Sequence, residues 1–387
     1  MSIFKFSKIL LSFIIIFFDK IIFLLPSRKF RKNYLAIVKI DAIGDFIIWI
    51  NTAKNLSLNN KNKKLILICD KNVEEIANSL NYFEKIISIN TKKFVNNLFY
   101  RFKKILIIRK FQYDKAIQTT YSRNFLTGDS IIRATNAQQR IGVKGDNTNQ
   151  ARIQKIISNG WYTSLIKFKD SSLSEKDRND EFLRNIGIKE IIKNSKIPTL
   201  TNLKEEFIYK NPYIIIFPGA STYKRMWPIK FFAKIASYIS LNYSLKIIIC
   251  GSQSEYNLGE TLKEISTKSD IVNLAGKTNL LEFIEIVRNS ELLIGNETSA
   301  IHIAYAVNTK SICLLGGGHF GRFMPYPLRN DPFEPIPIFE ELDCFKCNWN
   351  CTIEHPKGGP YPCISELSPN KVLPIIKELL ENYRNNY

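Results

Sequence analysis

The chain has 387 residues, 45% of them hydrophobic and 12% aromatic, which excludes general disorder and exceeds what one compact core usually holds; two domains are expected. Lys and Arg number 55 against 35 Asp and Glu, a formal net charge of +20, and the excess lies entirely in the first half: residues 1–40 hold 8 basic and 1 acidic residues, 41–200 hold 28 and 15, and 201–387 hold 19 and 19. The first half therefore asks for an anionic partner, either nucleic acid or an acidic membrane surface, and the second half does not.

The N-terminus separates those partners. Ile9 to Leu25 is nearly all apolar, broken by Ser12 and the pair Asp19-Lys20. On a helix, Lys5, Lys8, Ser12, Asp19 and Lys20 fall within about a third of the circumference, which predicts a segment (1–33) lying in a membrane interface rather than spanning it. Arg28, Lys29, Arg31 and Lys32 follow, placed for anionic headgroups on the cytoplasmic face. Small-x-small residues of a cleaved signal peptide do not follow the apolar stretch.

Leu35–Ile40 reads as a buried strand, followed by Asp41-Ala-Ile-Gly-Asp45 and an apolar helix to about Leu56. Further strands are expected at Leu65–Cys69, Lys85–Ile89 and Lys115–Gln118, and Thr119–Gly160 reads as polar, irregular loops facing an acceptor. Residues 34–195 form this first domain, and 196–211, between Pro198 and Pro212, a linker. A second alternation fills 212–368: strands at Tyr213–Phe217, Leu245–Cys250, Ile271–Leu274, Glu291–Ile294 and Ser311–Leu315 with helices between them, closed by a helix in 369–387. Short apolar strands alternating with helices predict an α/β fold of two doubly wound parallel sheets, whose ligands bind beyond the carboxyl ends of the strands.

Every chemically suggestive stretch falls at such an end. After the first strand, Asp45 can act as a base for a hydroxyl, with Asp41 and Lys39 beside it, or both aspartates can simply cap the helix. After Phe217 come Gly219, Ser221, Lys224, Arg225 and Trp227-Pro228: a glycine turn, hydroxyls and two cations suited to a diphosphate. Glu255, after Cys250, is placed for ribose hydroxyls. After Ile294, the run Glu297-Thr298-Ser299-Ala300 opens a helix whose unpaired N–H groups suit an anion, with His302 one turn in, as a donor contact or as a satisfied structural histidine. Gly316 to Gly318 permit close backbone approach to a ligand. The dinucleotide fingerprint G-x-G-x-x-G follows none of these strands, which argues against a nicotinamide enzyme, and no nucleic-acid-binding motif is present. Cys69, Cys250 and Cys313 sit in apolar runs as core fillers. Cys344, Cys347, Cys351 and Cys363 have spacing that fits a structural zinc, and equally a reduced or disulfide-closed loop.

The segments IVKIDAIGDFIIWI, FPGASTYKRMWPIKFFAKIA, ICGSQSE, LAGKTNLLEFIEIVRNSELLIGNETSAIHIAYAV and LLGGGHFGRFMPY, in that order, resemble the blocks of the heptosyltransferase family of glycosyltransferases (family 9) from Leu35 to the C-terminus. The resemblance implies a GT-B fold, with an acceptor-binding and a nucleotide-sugar-binding Rossmann-like domain facing a cleft. It implies inverting, metal-independent transfer of a heptose or related sugar from a nucleotide-diphosphate donor such as ADP-heptose, with no further cofactor, to a lipopolysaccharide-core or other glycolipid at the inner face of a bacterial membrane. By motif, Asp45 is the catalytic aspartate. Ser221, Lys224, Arg225, Glu255, Glu297, Thr298, Ser299, Ala300 and His302 bind the donor; the family's diphosphate lysine slot holds Arg225, with Lys224 adjacent. The family's Asp-Thr-Gly-x-x-His is here Glu297-Thr298-Ser299-Ala300-Ile301-His302, departures that also suit a non-catalytic relative that binds a sugar nucleotide or scaffolds a surface-glycan pathway.

Overall fold

A computed structural model describes residues 3–24, 30–170, 172–193, 196–199, 203–243, 245–266, 270–327 and 331–384; Arg28 and Lys29 of the N-terminal basic run lie outside them. The chain divides into two compact units, one of Met1–Ser171 with Asp177–Ser195, the other of Ser172–Lys176 with Lys196–Tyr387.

In the first unit α1 (Ile3–Leu24) precedes a six-stranded sheet of β1 (Phe30–Lys39), β2 (Lys64–Asp70), β3 (Lys85–Ile89), β4 (Phe111–Gln118), β5 (Gln139–Val143) and β6 (Ser164–Ile166). The order is β3-β2-β1-β4-β5-β6 and every pairing is parallel. Around it lie α2 (Ile43–Leu58), α3 (Glu74–Ser79), α4 (Thr91–Asn96), α5 (Leu98–Arg109), α6 (Ser130–Thr135), α7 (Arg152–Asn159) and, from Asp177 onward, α8 (Glu175–Asn185). The second unit repeats the plan with β7 (Tyr213–Phe217), β8 (Lys246–Ile249), β9 (Ile271–Asn273), β10 (Leu292–Asn296), β11 (Ser311–Leu314) and β12 (Ile336–Ile338), ordered β12-β11-β10-β7-β8-β9 and again all parallel. Its helices are α9 (Ile229–Tyr243), α10 (Tyr256–Ile265), α11 (Leu280–Arg288), α12 (Ser299–Ala306), α13 (Pro362–Ser365) and α14 (Pro369–Arg384).

Parallel strands covered on both faces must be apolar along their whole length, which is why Ile66 to Cys69 and Ile214 to Ile216 are entirely buried. In each sheet the chain first builds outward in one direction and then returns to the other side of its first strand. The reversal falls between β1 and β4 in one unit and between β7 and β10 in the other, and at such switch points the loops beyond the strand ends part to form a crevice.

Two expectations need correction. Thr119–Gly160 is not loop: it holds a π-helical turn at Phe125–Asp129, then α6, β5 and α7. Asn124 starts that turn by accepting the N–H groups of Leu126 and Thr127 at 3.1 and 3.3 Å. β5, β6 and β12 escaped the sequence pattern because β6 and β12 are short edge strands, where Pro337 is tolerated, and β5 carries Gln139 and Arg140 at its outer end.

The second correction concerns α1. Its polar arc does not face water as a whole: Ser12 and Asp19 are buried against the protein. Asp19 takes a bidentate pair of bonds from Arg101 at 2.8 and 2.7 Å, and both side chains are all but inaccessible. No helix among the described residues is long and apolar enough to cross a membrane.

Candidate active site

In the second unit the switch point is built around Asn296, the last residue of β10, which is 1% exposed. Its Oδ1 accepts the Trp227 N–H at 2.9 Å, while its Nδ2 donates to the Pro218 carbonyl at 2.7 Å and the Gly219 carbonyl at 3.2 Å. One amide therefore fixes both ends of the loop that carries Ser221, Lys224 and Arg225. Trp227 is buried in the core below and donates its indole N–H to Leu367 O at 2.8 Å. Sequence reasoning did not single out Asn296, because the groups it joins lie some seventy or more residues away in the chain.

Arg225 reaches back to the β10 turn. Its guanidinium donates to Glu297 Oε2 at 3.3 Å and to Ser221 Oγ at 3.2 Å, and lies 4.4 Å from the centroid of the Trp349 ring. Glu297 is buried, and that burial raises its carboxyl to about 7 against the opposing pull of Arg225. The neighbouring Thr298 is extended and caps α12 by accepting the Ala300 N–H at 3.4 Å, so the positive end of α12 begins just after the carboxylate that Arg225 holds. Lys224 turns elsewhere, its ammonium 5.4 Å from the Tyr361 ring and its carbonyl accepting the Tyr361 N–H at 2.8 Å.

Glu255 lies at the ends of the adjacent strands β7 and β8. One carboxylate oxygen accepts the N–H and hydroxyl of Ser252 at 2.6 and 2.8 Å. The other stands where a Cβ on Gly219 would come within 1.7 Å of it, so a larger residue at that turn would displace the Glu255 carboxylate. His302 is buried, with Nδ1 2.6 Å from the Tyr326 hydroxyl and the two rings stacked at 5.8 Å. Burial, aided by nearby Lys176, depresses its imidazolium to about 3, so it is neutral and held by the protein at Nδ1.

Gly316 to Gly318 approach protein rather than a ligand. A Cβ on Gly317 would meet Phe345 at 2.4 Å, and one on Gly318 would meet Trp349 at 2.3 Å. The cysteine-rich segment thus packs onto the β11 turn and delivers Trp349 beneath Arg225, a role its sequence did not announce. Its four cysteines are free thiols, and among the described residues no group of three or more His, Cys, Asp or Glu side chains could hold a metal ion. Burial raises the Cys363 thiol, and the other three cysteines add to the effect.

In the first unit, Asp41 is not a helix cap. Its Oδ2 takes the Lys39 ammonium at 2.7 Å and the Thr120 hydroxyl at 2.7 Å, tying the ends of β1 and β4 together across the switch point. α2 starts instead at Ala42, which provides no side-chain cap, and Asp45 stands in its first turn, where the helix dipole favours a carboxylate. Beyond β4, Arg123 and Asp129 pair at 3.2 Å with both side chains inaccessible, and Tyr162 donates to Asp129 at 2.6 Å. This buried network braces the π-helical turn, and burial raises the Asp129 carboxyl despite the guanidinium beside it.

Two sheets of order 3-2-1-4-5-6, each with its polar residues gathered at the switch point, define a two-domain α/β protein of GT-B-like fold. The chain carries a glycosyltransferase family 9 (heptosyltransferase) domain: that family's model matches residues 172–335, and the resemblance read from the sequence holds. It is 32% identical over 111 residues to the lipooligosaccharide heptosyltransferase 2 of Haemophilus influenzae, a match covering 28% of this chain and 32% of that protein. Over 359 residues, 89% of this chain and 98% of the relative, it is 23% identical to the lipopolysaccharide heptosyltransferase 1 of Campylobacter coli. The solved ADP-heptose lipopolysaccharide heptosyltransferase II of E. coli superimposes with a TM-score of 0.67 at 15% identity, over 91% of this chain and 99% of that one.

Proposed function

We propose that the protein is a glycosyltransferase that moves a heptose or closely related sugar from an ADP-linked donor to a lipopolysaccharide-core glycolipid, with inversion at the anomeric carbon. The observation that carries this reading is the Arg225 guanidinium held by Glu297 immediately before the N-terminus of α12 at Thr298–Ala300, at the switch point between β7 and β10. A guanidinium and convergent amides in a partly desolvated turn stabilise a diphosphate most strongly as it leaves with added negative charge. Glu255, one strand over, is the partner for ribose hydroxyls. His302 shapes the pocket from below through Tyr326.

Asp45 acts as general base. The acceptor hydroxyl attacks the anomeric carbon on the side opposite the diphosphate; the new C–O bond forms as the bond to the diphosphate breaks, and Asp45 takes the hydroxyl proton. Charge on the leaving group is neutralised by Arg225 and the start of α12, with Lys224 turned toward Tyr361, so the scheme calls for no divalent cation. The enzyme works peripherally at the cytoplasmic face of the inner membrane, where a lipid-anchored acceptor is presented and where the basic first half of the chain is matched to anionic lipid.

A thermal-shift panel of nucleotide sugars tests the donor: a ligand that binds only the folded state raises the melting temperature according to its affinity. ADP-heptose and ADP are expected to give the largest shifts. A UDP- or GDP-linked sugar that shifts the protein more would replace the ADP assignment.

A further inference from the structure

Three helices of the first unit leave large apolar side chains exposed while burying polar ones, although α1 and α5 also send Ile22, Ile105 and Ile108 into the core. On α1, Ser12 and Asp19 point into the protein while Leu11, Ile14, Phe17, Phe18 and Ile21 are exposed, Phe17 by 62%. On α5, Arg101 is buried on Asp19 and Lys104 donates to Ser88 O at 2.6 Å, while Leu98, Phe99 and Phe102 face outward, Phe99 by 79%. On α7, Gln154 donates to Ser12 Oγ at 2.8 Å and accepts the Ala151 N–H at 2.8 Å, and Lys155 donates to Gly145 O and Asp146 O. The outward positions of that helix are Ile153, Ile156 and Ile157.

The same bonds hold the helices side by side, α5 to α1 through Arg101 and Asp19, α7 to α1 through Gln154 and Ser12. Their outward side chains therefore belong to one apolar face, rich in phenylalanine, which water alone would not select. Charge decides what covers it. α4, α5 and α7 contain no carboxylate, and the one on α1, Asp19, is spent on Arg101. Lys20, Lys103 and Arg152 are exposed directly beside Ile21, Phe102 and Ile153, and Lys92 and Lys93 are exposed on α4. A second copy would bring cation against cation, whereas an anionic lipid surface satisfies both the apolar side chains and the lysines that border them.

We propose that α1, α5 and α7 together form a lipid-docking face that seats the first unit on an anionic bilayer. The N-terminal helix is a fixed part of that face, pinned by the Asp19–Arg101 pair, and not a free anchor. The proposal rests on the peripheral membrane position proposed above but not on the donor or the reaction, so a failure to float and a failure to transfer sugar are read separately.

Vesicle flotation tests it, with equimolar phosphatidylglycerol and phosphatidylcholine against phosphatidylcholine alone. The full chain is expected to float with the anionic vesicles and to be released by salt. Phe99→Ser combined with Ile156→Ser removes only exposed side chains and should reduce the bound fraction tenfold or more. Lys103→Glu and Arg152→Glu should each reduce it about fivefold or more on anionic vesicles. Melting with and without ADP reports separately whether these variants fold and keep the donor site. Wild-type flotation by folded double variants overturns the proposal. So does a chain that ignores vesicles, or one that forms a dimer by light scattering that Phe99→Ser with Ile156→Ser dissociates.

Discussion

Replacing Asn296 by Asp changes one NH2 to an oxygen in a site that is 1% exposed. The carboxylate can still accept the Trp227 N–H, but the Pro218 and Gly219 carbonyls, now at 2.7 and 3.2 Å, lose their donor and face an acceptor instead. An orphaned buried polar group costs about 1–3 kcal/mol, so the pair costs roughly 2–6 kcal/mol. Burial also raises the pKa of the new carboxyl above its unfolded value of about 3.9, so the native state holds a proton that the unfolded state has lost. Native stability relative to wild type therefore falls as pH rises through that window, and is partly regained in acid, where the protonated carboxyl donates one bond. Urea unfolding at acidic and alkaline pH, together with ADP titration, measures both effects: a stability deficit larger in alkali and a loss of ADP affinity as the Ser221–Arg225 loop loosens. Equal stability at both pH values, with wild-type ADP binding, would refute the claim that Asn296 organises the loop.

Arg225→Met should weaken ADP binding tenfold or more, while Lys224→Met, whose ammonium lies over Tyr361, should weaken it by less than threefold; isothermal titration distinguishes them. Glu297 has its native pKa raised from 4.5 to about 7, so its ionisation disfavours the native state as pH rises across that interval. Glu297→Gln should remove this slope, worth roughly 3 kcal/mol over the window, which unfolding curves across pH will show. Gly219→Ala forces its Cβ into the Glu255 carboxylate and should lower both stability and ADP affinity; releasing the clash with Glu255→Ala should restore the stability but not the affinity. Transfer activity should survive excess EDTA, measured as acceptor-dependent ADP release.

The central strands were legible because a parallel strand buried on both faces must be apolar throughout, and runs such as Ile66–Cys69 and Ile214–Ile216 carry that requirement locally. The edge strands β3 and β9 still carried short apolar runs, but β6 and β12, three residues each and the latter holding Pro337, did not, and passed unseen. The candidate site could be proposed from the sequence wherever one segment supplied its own chemistry, as at Thr298–Ala300 or Gly219–Arg225. It was not legible where the chemistry is assembled from distant segments: Asn296 needs Pro218 and Trp227, and Trp349 reaches Arg225 from the far end of the chain. α1 shows the same limit. Periodicity located its polar arc, but which side faced the protein was decided by Arg101, 82 residues away.

Acceptor-dependent turnover of ADP-heptose by wild type and Asp45→Ala tests the central claim most directly. The variant should bind ADP-heptose as tightly as wild type yet transfer at least a hundredfold more slowly, the contribution of a positioned general base. Transfer by Asp45→Ala at the wild-type rate, or a wild-type protein that binds the donor and never consumes it with a lipopolysaccharide-core acceptor, would contradict the account.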